Sequence, residues 1–532
     1  VRNGLAAGGL FALVVALGAI FIPYAGIQYD EALFTEAIYS VFRVEHAMKF
    51  GEFRLPIMLL TYMGTIKAGI YALLLSWFDA SVWTLRLPPL VWAAASVSLF
   101  FLTMRRLCGF RPALLASVLL ATDAMYLLTS VFDWGPVALQ HLLTAIALYA
   151  GVRYAQERRP WLAGVAAASC GLALWDKAVF VWVLVGGAVA LMAVFPRELA
   201  GMARNRRTLL TVAGCFLLGA LPFLYYNKIH PLRTITANVE EDAEPRLNKV
   251  RMLDKTLDGG GLFGYMVRHS PEGFPQGLRW VEKIPLFASG KLRAPQMSLQ
   301  HLLLAAALFG APLLWFTPWR RAAMFALVLF LVSWLLMIYS RATGGGAHHT
   351  ILLWPLPQWL LALGIAAVQD RMGEKAFRAA ALATLLCTAS NLVLLNQYMA
   401  QFISSGPTWI WSDAVFPLKD AVEKRLDRYY CSVDWGVANQ LRFLTKGRVR
   451  FLGREDGITL DFDTPRRDEV LSRLLWDPKS TFILRTEGRE VFGGSRDRFL
   501  ARAKELGYQG AVRETFHDRH GSPVFELWEF HR

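Results

Sequence analysis

Two adjacent carboxylates, in Tyr29-Asp30-Glu31-Ala32, stand directly behind a long apolar run, Leu5 to Ile27. A carboxylate within hydrogen-bond reach of a hydroxyl can take its proton as a new bond forms, although such a pair is equally at home in a solvated loop. Further along, Lys67 interrupts the apolar segment Leu55 to Phe78, and Leu85-Arg86-Leu87-Pro88 opens the next apolar run. Phe132-Asp133-Trp134-Gly135-Pro136 reads as a tight turn, where Asp133 can instead cap the following helix. Leu174-Trp175-Asp176-Lys177 ends another apolar run, and Asp176 there can simply pair with Lys177. In Gly344-Gly345-Gly346-Ala347-His348-His349 the glycines allow close approach of the backbone to a ligand, and either histidine can hydrogen-bond it. Two histidines without further ligands do not make a metal site. None is assigned, and a divalent cation stays open.

The elements that must carry these residues are set by the bilayer. The chain has 532 residues, 55% of them hydrophobic, and a mean hydropathy of +0.36. Soluble domains are nearer about 45–50% apolar. Runs of about 18–20 apolar residues, enough to cross a hydrocarbon core of about 30 Å, recur over most of the length. The first run is too long for a signal-peptide core and reads as a retained span. The others fall at about 87–104, 112–130, 135–152, 160–175, 178–196, 208–226, 301–319, 322–340, 350–368 and 379–397.

The formal charge of +15 concentrates in short loops between these runs, at Arg105, Arg106 and Arg111, Arg153, Arg158 and Arg159, Arg204, Arg206 and Arg207, Arg320 and Arg321, and Arg371, Lys375 and Arg378. That is the signature of cytoplasmic loops, so the charge speaks for topology and against a nucleic-acid partner. All these loops share one side only if the 55–78 segment lies along the interface instead of crossing. The reading is then about eleven spans with the N-terminus inside. The outer face receives the 28–86 loop with its interfacial segment, the turns at Asp133 and Asp176-Lys177, the long loop 227–298, and Gly344 to His349. The five cysteines show no paired spacing, which excludes a disulfide framework, a zinc knuckle and a redox motif. Asp123 lies inside an apolar run, where it must be paired, protonated or beside a cavity.

From about residue 398 the composition becomes that of a soluble domain. Tyr429–Val433, Val449–Leu452 and Phe482–Leu484 read as strands, Arg466–Trp476 and Ser495–Leu506 as helices, and 512–530 as a closing hairpin. The division is therefore a membrane domain over 1–397 and an outer α/β domain over 398–532. The long loop, with Glu240-Glu241-Asp242 and Gly259-Gly260-Gly261, is either a lid or a solvated excursion. Asp434-Trp435-Gly436 reads as a strand end.

In order, the Asp-Glu pair behind the first span, the lysine-bearing apolar segment and the Arg-Leu-Pro element resemble the GT-C glycosyltransferases of the protein O-mannosyltransferase and lipid A aminoarabinose-transferase type. The resemblance covers about residues 1–400. It implies a GT-C-like, α-helical polytopic fold and a polyprenyl-phosphate sugar donor, with a protein, lipid or glycan acceptor. It makes Asp30 the catalytic carboxylate, with Glu31 supporting the loop or acceptor, and Asp133 a second acid that positions the acceptor. Lys67, Arg86, Lys177, His348 and His349 become donor-phosphate or substrate contacts, because a fixed cation stabilises the charge gained by a leaving phosphate. Trp134-Gly135-Pro136 and Trp175-Asp176 depart from the usual pattern. The implied setting is a bacterial inner membrane with the site facing outward, and no organic cofactor. A transporter or flippase of a lipid-linked saccharide is the alternative, and it calls for an internal repeat that the sequence lacks. A scaffold whose outer domain binds a glycan or partner is the third reading.

Overall fold

The computed structural model describes residues 1–532 except 238–244, 274, 276, 341–343, 455–456 and 462–466. The acidic cluster at 240–242 therefore lies outside the described residues. Helix occupies most of each apolar run: Arg2–Ala19, Val82–Cys108, Phe110–Ala121 with Ala124–Val131, Val137–Glu157, Pro160–Asp176, Val181–Val194, Arg206–Ile229, Gln300–Gly310, Arg320–Tyr339 and Leu356–Ser404. The last is two helices in line, broken at Gly373, whose φ of 78° interrupts the helical backbone. By length and apolarity five helices among the described residues can cross a bilayer, or up to seven if each bent pair counts as one span.

Two features mark the bundle as built for lipid. Helix 206–229 leaves Leu209, Leu210, Leu217, Leu218 and Leu221 exposed, a surface that only hydrocarbon covers at low cost. Its inner side instead carries small residues. A Cβ on Gly219 would lie 2.6 Å from the Ala168 carbonyl oxygen, and one on Gly171 2.3 Å from that of Phe216. Helices 160–176 and 206–229 thus touch backbone to backbone, the packing that membranes favour where no hydrophobic force drives helices together.

The basic loops meet at one end of this bundle. Arg106 reaches Gln156 at 2.8 Å and Glu157 at 3.3 Å, Arg111 reaches Glu374 at 3.1 Å, and Arg321 reaches Glu198 at 2.6 Å. Trp319 Nε1 donates to the Leu107 carbonyl at 3.0 Å, and Arg2 lies over the Phe110 ring. The N-terminus and these arginine-rich loops therefore share a side.

At the other end the 55–78 segment is divided, where one apolar segment was expected. Strands β1 (His46–Phe50), β2 (Phe53–Leu60) and β3 (Met63–Gly64) form an antiparallel sheet, and only Ile66–Trp77 is helical. The burial of Ile57 and Met58 on both faces hides the alternation that would have disclosed a strand.

Beyond Ser404 the chain builds a mixed five-stranded sheet from β4 (Tyr429–Ser432), β5 (Arg450–Phe451), β6 (Ser480–Arg485), β7 (Gln509–His517) and β8 (Pro523–His531), in the order β5-β4-β6-β8-β7. β4 runs parallel to β5 and β6, and β7–β8 is the antiparallel hairpin. Helices Arg467–Trp476 and Ser495–Glu505 accompany it. The long loop 227–298 is largely folded, with helices Arg246–Asp258 and Trp280–Leu292. It is tied down by Tyr398 Oη donating to the Gly259 carbonyl at 2.8 Å and by an ion pair between Arg268 and Asp518. All five cysteines are free.

Candidate active site

The loop behind the first helix is shaped by its own short-range bonds. Gln28 Oε1 accepts from the backbone of Asp30 at 2.6 Å and of Glu31 at 3.1 Å, while Gln28 Nε2 donates to Asp30 Oδ2 at 3.3 Å. Glu31 turns inward and meets Arg86 through two bonds, of 2.7 and 3.0 Å. The remaining guanidinium N–H groups go to the carbonyls of Ile22, Ala25 and Gly26 at 2.6–2.9 Å. All five donors of Arg86 are used, and both side chains are buried. Glu31, expected to support the loop or acceptor, and Arg86, expected to contact substrate, together fasten the loop to the start of helix 82–108. A fully desolvated, bidentate pair has no donor left for a ligand.

The C-terminal domain packs on the same loop. The Trp435 and Tyr29 rings lie 4.7 Å apart, and a Cβ on Gly436 would approach Arg485 at 3.0 Å and Tyr29 at 4.0 Å. Asp434 holds this turn by accepting from the backbone of Val491 at 2.6 Å and Phe492 at 3.0 Å. Asn439 reaches Glu36 at 2.9 Å. The Asp434-Trp435-Gly436 turn, left without a role by the sequence, thus packs on the residue before Asp30.

Between this loop and the helix ends opens a narrow cleft, lined by Asp30, Lys67, Gly135 and Asp176 among apolar side chains that include Phe34 and Met63. Asp30 is half-buried, and burial pushes its carboxyl up to about 6, opposed by the Gln28 hydrogen bond and the charge of Lys177. Lys67 donates to Asp133 Oδ2 at 2.9 Å and to the Asp133 carbonyl at 3.1 Å. Asp133 Oδ1 accepts from the backbone of Ala138 at 3.1 Å, so it also caps the helix that follows. These two expected site residues neutralise each other at the wall of the cleft.

Lys177 differs. It is 4% exposed, yet its ammonium has no carboxylate within 4.0 Å among the described residues. Burial pushes it down to about 8, resisted by the charges of Asp176, Asp30 and Asp133. Its Nζ lies 2.9 Å from where a Cβ on Gly135 would stand, so the Asp-Trp-Gly turn needs glycine to admit it. His348 is its neighbour there and accepts from Trp134 Nε1 at 3.0 Å. His349 stands behind, accepting from the Gly344 backbone at 3.2 Å with its ring 4.0 Å from that of His348. No group of three His, Cys, Asp or Glu among the described residues is arranged to hold a metal ion.

Asp176, Gln140 and Asp123 find their partners here. Asp176 does not pair with Lys177. Its Oδ2 accepts from Gln140 Nε2 at 2.8 Å. Gln140 carried no motif, and its one sequence signal is a polar side chain inside an apolar run. Asp123 caps the helix after the 56° bend at Thr122 and accepts from Gln300 at 2.9 Å and Trp354 at 2.8 Å.

Residues 67–226 match the model of the dolichyl-phosphate-mannose-protein mannosyltransferase family. No curated protein sequence matches the chain. Among solved structures, ArnT from Cupriavidus metallidurans bound to undecaprenyl phosphate superposes with a TM-score of 0.58 at 12% identity, covering 97% of each chain. The apo form of that protein gives 0.55 at 14% identity over 98% of each. The oligosaccharyltransferase AglB from Archaeoglobus fulgidus, in complex with an inhibitory peptide and a dolichol-phosphate, gives 0.49 at 12% identity over 90% of this chain and 69% of that one. With the mannosyltransferase pattern running through residues 67–226 and the ArnT architecture extending over nearly the whole chain, this is a polytopic membrane protein of the GT-C glycosyltransferase fold.

Proposed function

We propose that the protein transfers a sugar from a polyprenyl-phosphate donor to an acceptor at the outer face of the membrane, in one inverting displacement. The observation that carries this reading is a pair of unmatched charges on either side of Gly135: Asp30 lines the cleft that Gly135 also lines, and Lys177 sets its Nζ against Gly135. Asp30 is a carboxylate with no cation in contact, and Lys177 an ammonium with no anion in contact. An acceptor hydroxyl at Asp30 gives up its proton to the carboxylate as its oxygen attacks the anomeric carbon. The bond from that carbon to the phosphate oxygen breaks, and the lipid phosphate leaves with a negative charge that Lys177 stabilises. His348, beside Lys177, is a further phosphate contact. The Lys67–Asp133 pair shapes the cleft wall and holds the acceptor side. The undecaprenyl phosphate bound to the ArnT neighbour is the leaving group of such a donor.

The orientation follows from charge. With the arginine-rich end in the cytoplasm, the cleft and the C-terminal sheet face the periplasm or exterior of a bacterial inner membrane. The five helices among the described residues that are long and apolar enough to cross, or up to seven with the bent pairs, span the bilayer between these two faces. Protein, lipid and glycan acceptors are all open, and the sugar can be a hexose or a pentose.

The test is to supply radiolabelled polyprenyl-phosphate sugars to membranes containing the protein and to measure free lipid phosphate together with label on the acceptor. Coupled release and transfer is the expected result. Movement of intact donor across the bilayer, with its anomeric bond unbroken, would instead establish the flippase.

A further inference from the structure

We propose that Asp176 is the residue by which the cleft reads the transferred sugar, accepting a hydrogen bond from a ring hydroxyl; this rests on the transferase reading above. Asp176 ends helix 160–176, is 1% exposed, and lines the same cleft as Asp30. Its partner Gln140, also 1% exposed, donates both to Asp176 Oδ2 at 2.8 Å and to the Ala173 carbonyl at 2.9 Å, which fixes the plane of the amide and with it the carboxyl group. Asp176 Oδ1 has no hydrogen-bond partner among the described residues, and no cation lies within 4.0 Å of the carboxylate.

The reason lies in the backbone. Lys177 is extended (φ −154°, ψ 120°) and bridges to Met63, and the next residue, Ala178, donates its N–H to the Tyr62 carbonyl at 2.8 Å. Lys177, the first residue past the helix, turns to Gly135, while Asp176, the last helical residue, stays at the cleft.

Three polar side chains line that cleft. Asp30 is taken by the acceptor hydroxyl, and Lys67 is tied to Asp133. The other side chains there are apolar, so Asp176 is the one wall group free to pair with the substrate. A sugar whose anomeric carbon faces Asp30, on a donor whose phosphate meets Lys177 at Gly135, brings its ring hydroxyls to the wall that Asp176 forms. A buried polar group left unmatched by a ligand is costly, and a site built to bond a hydroxyl rejects the analogue lacking it far better than a hydrophobic pocket sorts by size.

The experiment compares wild type, Asp176→Asn and Asp176→Ala on undecaprenyl-phosphate mannose, glucose, galactose and arabinose, hexoses and a pentose, and on the deoxy analogues of the best of these. Binding of undecaprenyl phosphate alone is measured in parallel. We expect the kcat/KM ratio between the best donor and its most discriminating deoxy analogue to fall at least about tenfold in Asp176→Ala, the loss of one hydrogen bond to a charged group. Affinity for undecaprenyl phosphate should stay within twofold in both variants, which also certifies their folding. An unchanged ratio, or an equal loss on all donors together with weaker undecaprenyl phosphate binding, would overturn the proposal. A wild type that turns over none of the donors would overturn the transferase reading and this inference with it. Turnover without an effect of Asp176 overturns the inference alone.

Discussion

Lys67 and Lys177 look alike in the sequence and do opposite things in the structure. Both interrupt or end apolar runs at the end of the bundle away from the arginine-rich loops, and both are buried, at 7% and 4% exposure. Lys67 is matched within the fold by Asp133 at 2.9 Å, whereas Lys177 has no carboxylate within 4.0 Å among the described residues. A buried charge that the fold neutralises is part of the architecture. One that the fold leaves unmatched, beside an equally unmatched Asp30, is held ready for something that arrives from outside.

The comparison is most exposed to failure in stability measurements. Lys67→Met leaves Asp133 charged and buried without a partner, a change that costs about 3–5 kcal/mol, and thermal unfolding in detergent should fall accordingly. Adding Asp133→Asn should restore most of the loss. Lys177→Met removes a desolvated charge that nothing matches, so its unfolding midpoint should hold or rise. A reversal of these two results would erase the distinction.

Turnover sharpens it from the other side. Removing one preorganised electrostatic contact to a developing anion costs about 10²–10³ in kcat, and Lys177→Met should lose that much.

The pH dependence separates the two unmatched groups. Asp30 works as a carboxylate, so kcat/KM should climb as pH rises through about 6. Lys177 works as an ammonium, so kcat/KM should fall as pH passes about 8. In Lys177→Met the alkaline limb should disappear while the acid limb stays.

The smallest effect is expected from the C-terminal domain. Trp435→Ala removes a ring contact with Tyr29 worth about 0.5–1.5 kcal/mol and should reduce turnover only severalfold through a looser Asp30 loop.

What the sequence made legible was local. The first-loop carboxylates, the apolar runs and the arginine-rich loops are contiguous patterns, and a bilayer turns such patterns into position. What it hid was long-range pairing. Glu31 finds Arg86 55 residues away and Lys67 finds Asp133 66 residues away. Neither distance is coded by spacing, so Arg86 looked like a ligand contact when its five donors were already used. The role of Asp434-Trp435-Gly436 was hidden for the same reason, since it touches Tyr29 across the whole membrane domain. Strand β2 was masked because Ile57 and Met58 are buried on both faces of a short sheet. Gln140 had no motif at all. A rule that treats any amide inside an apolar run as a candidate would have found it.

The measurement that bears most directly on this account is sugar transfer from a polyprenyl-phosphate donor by wild type and Asp30→Asn at matched protein levels and equal undecaprenyl phosphate affinity. The account predicts that transfer by wild type falls by at least about 10²-fold in the variant, the usual share of a general base, while lipid-phosphate binding survives. Equal turnover in both would remove Asp30 from the chemistry and contradict the reading of the cleft.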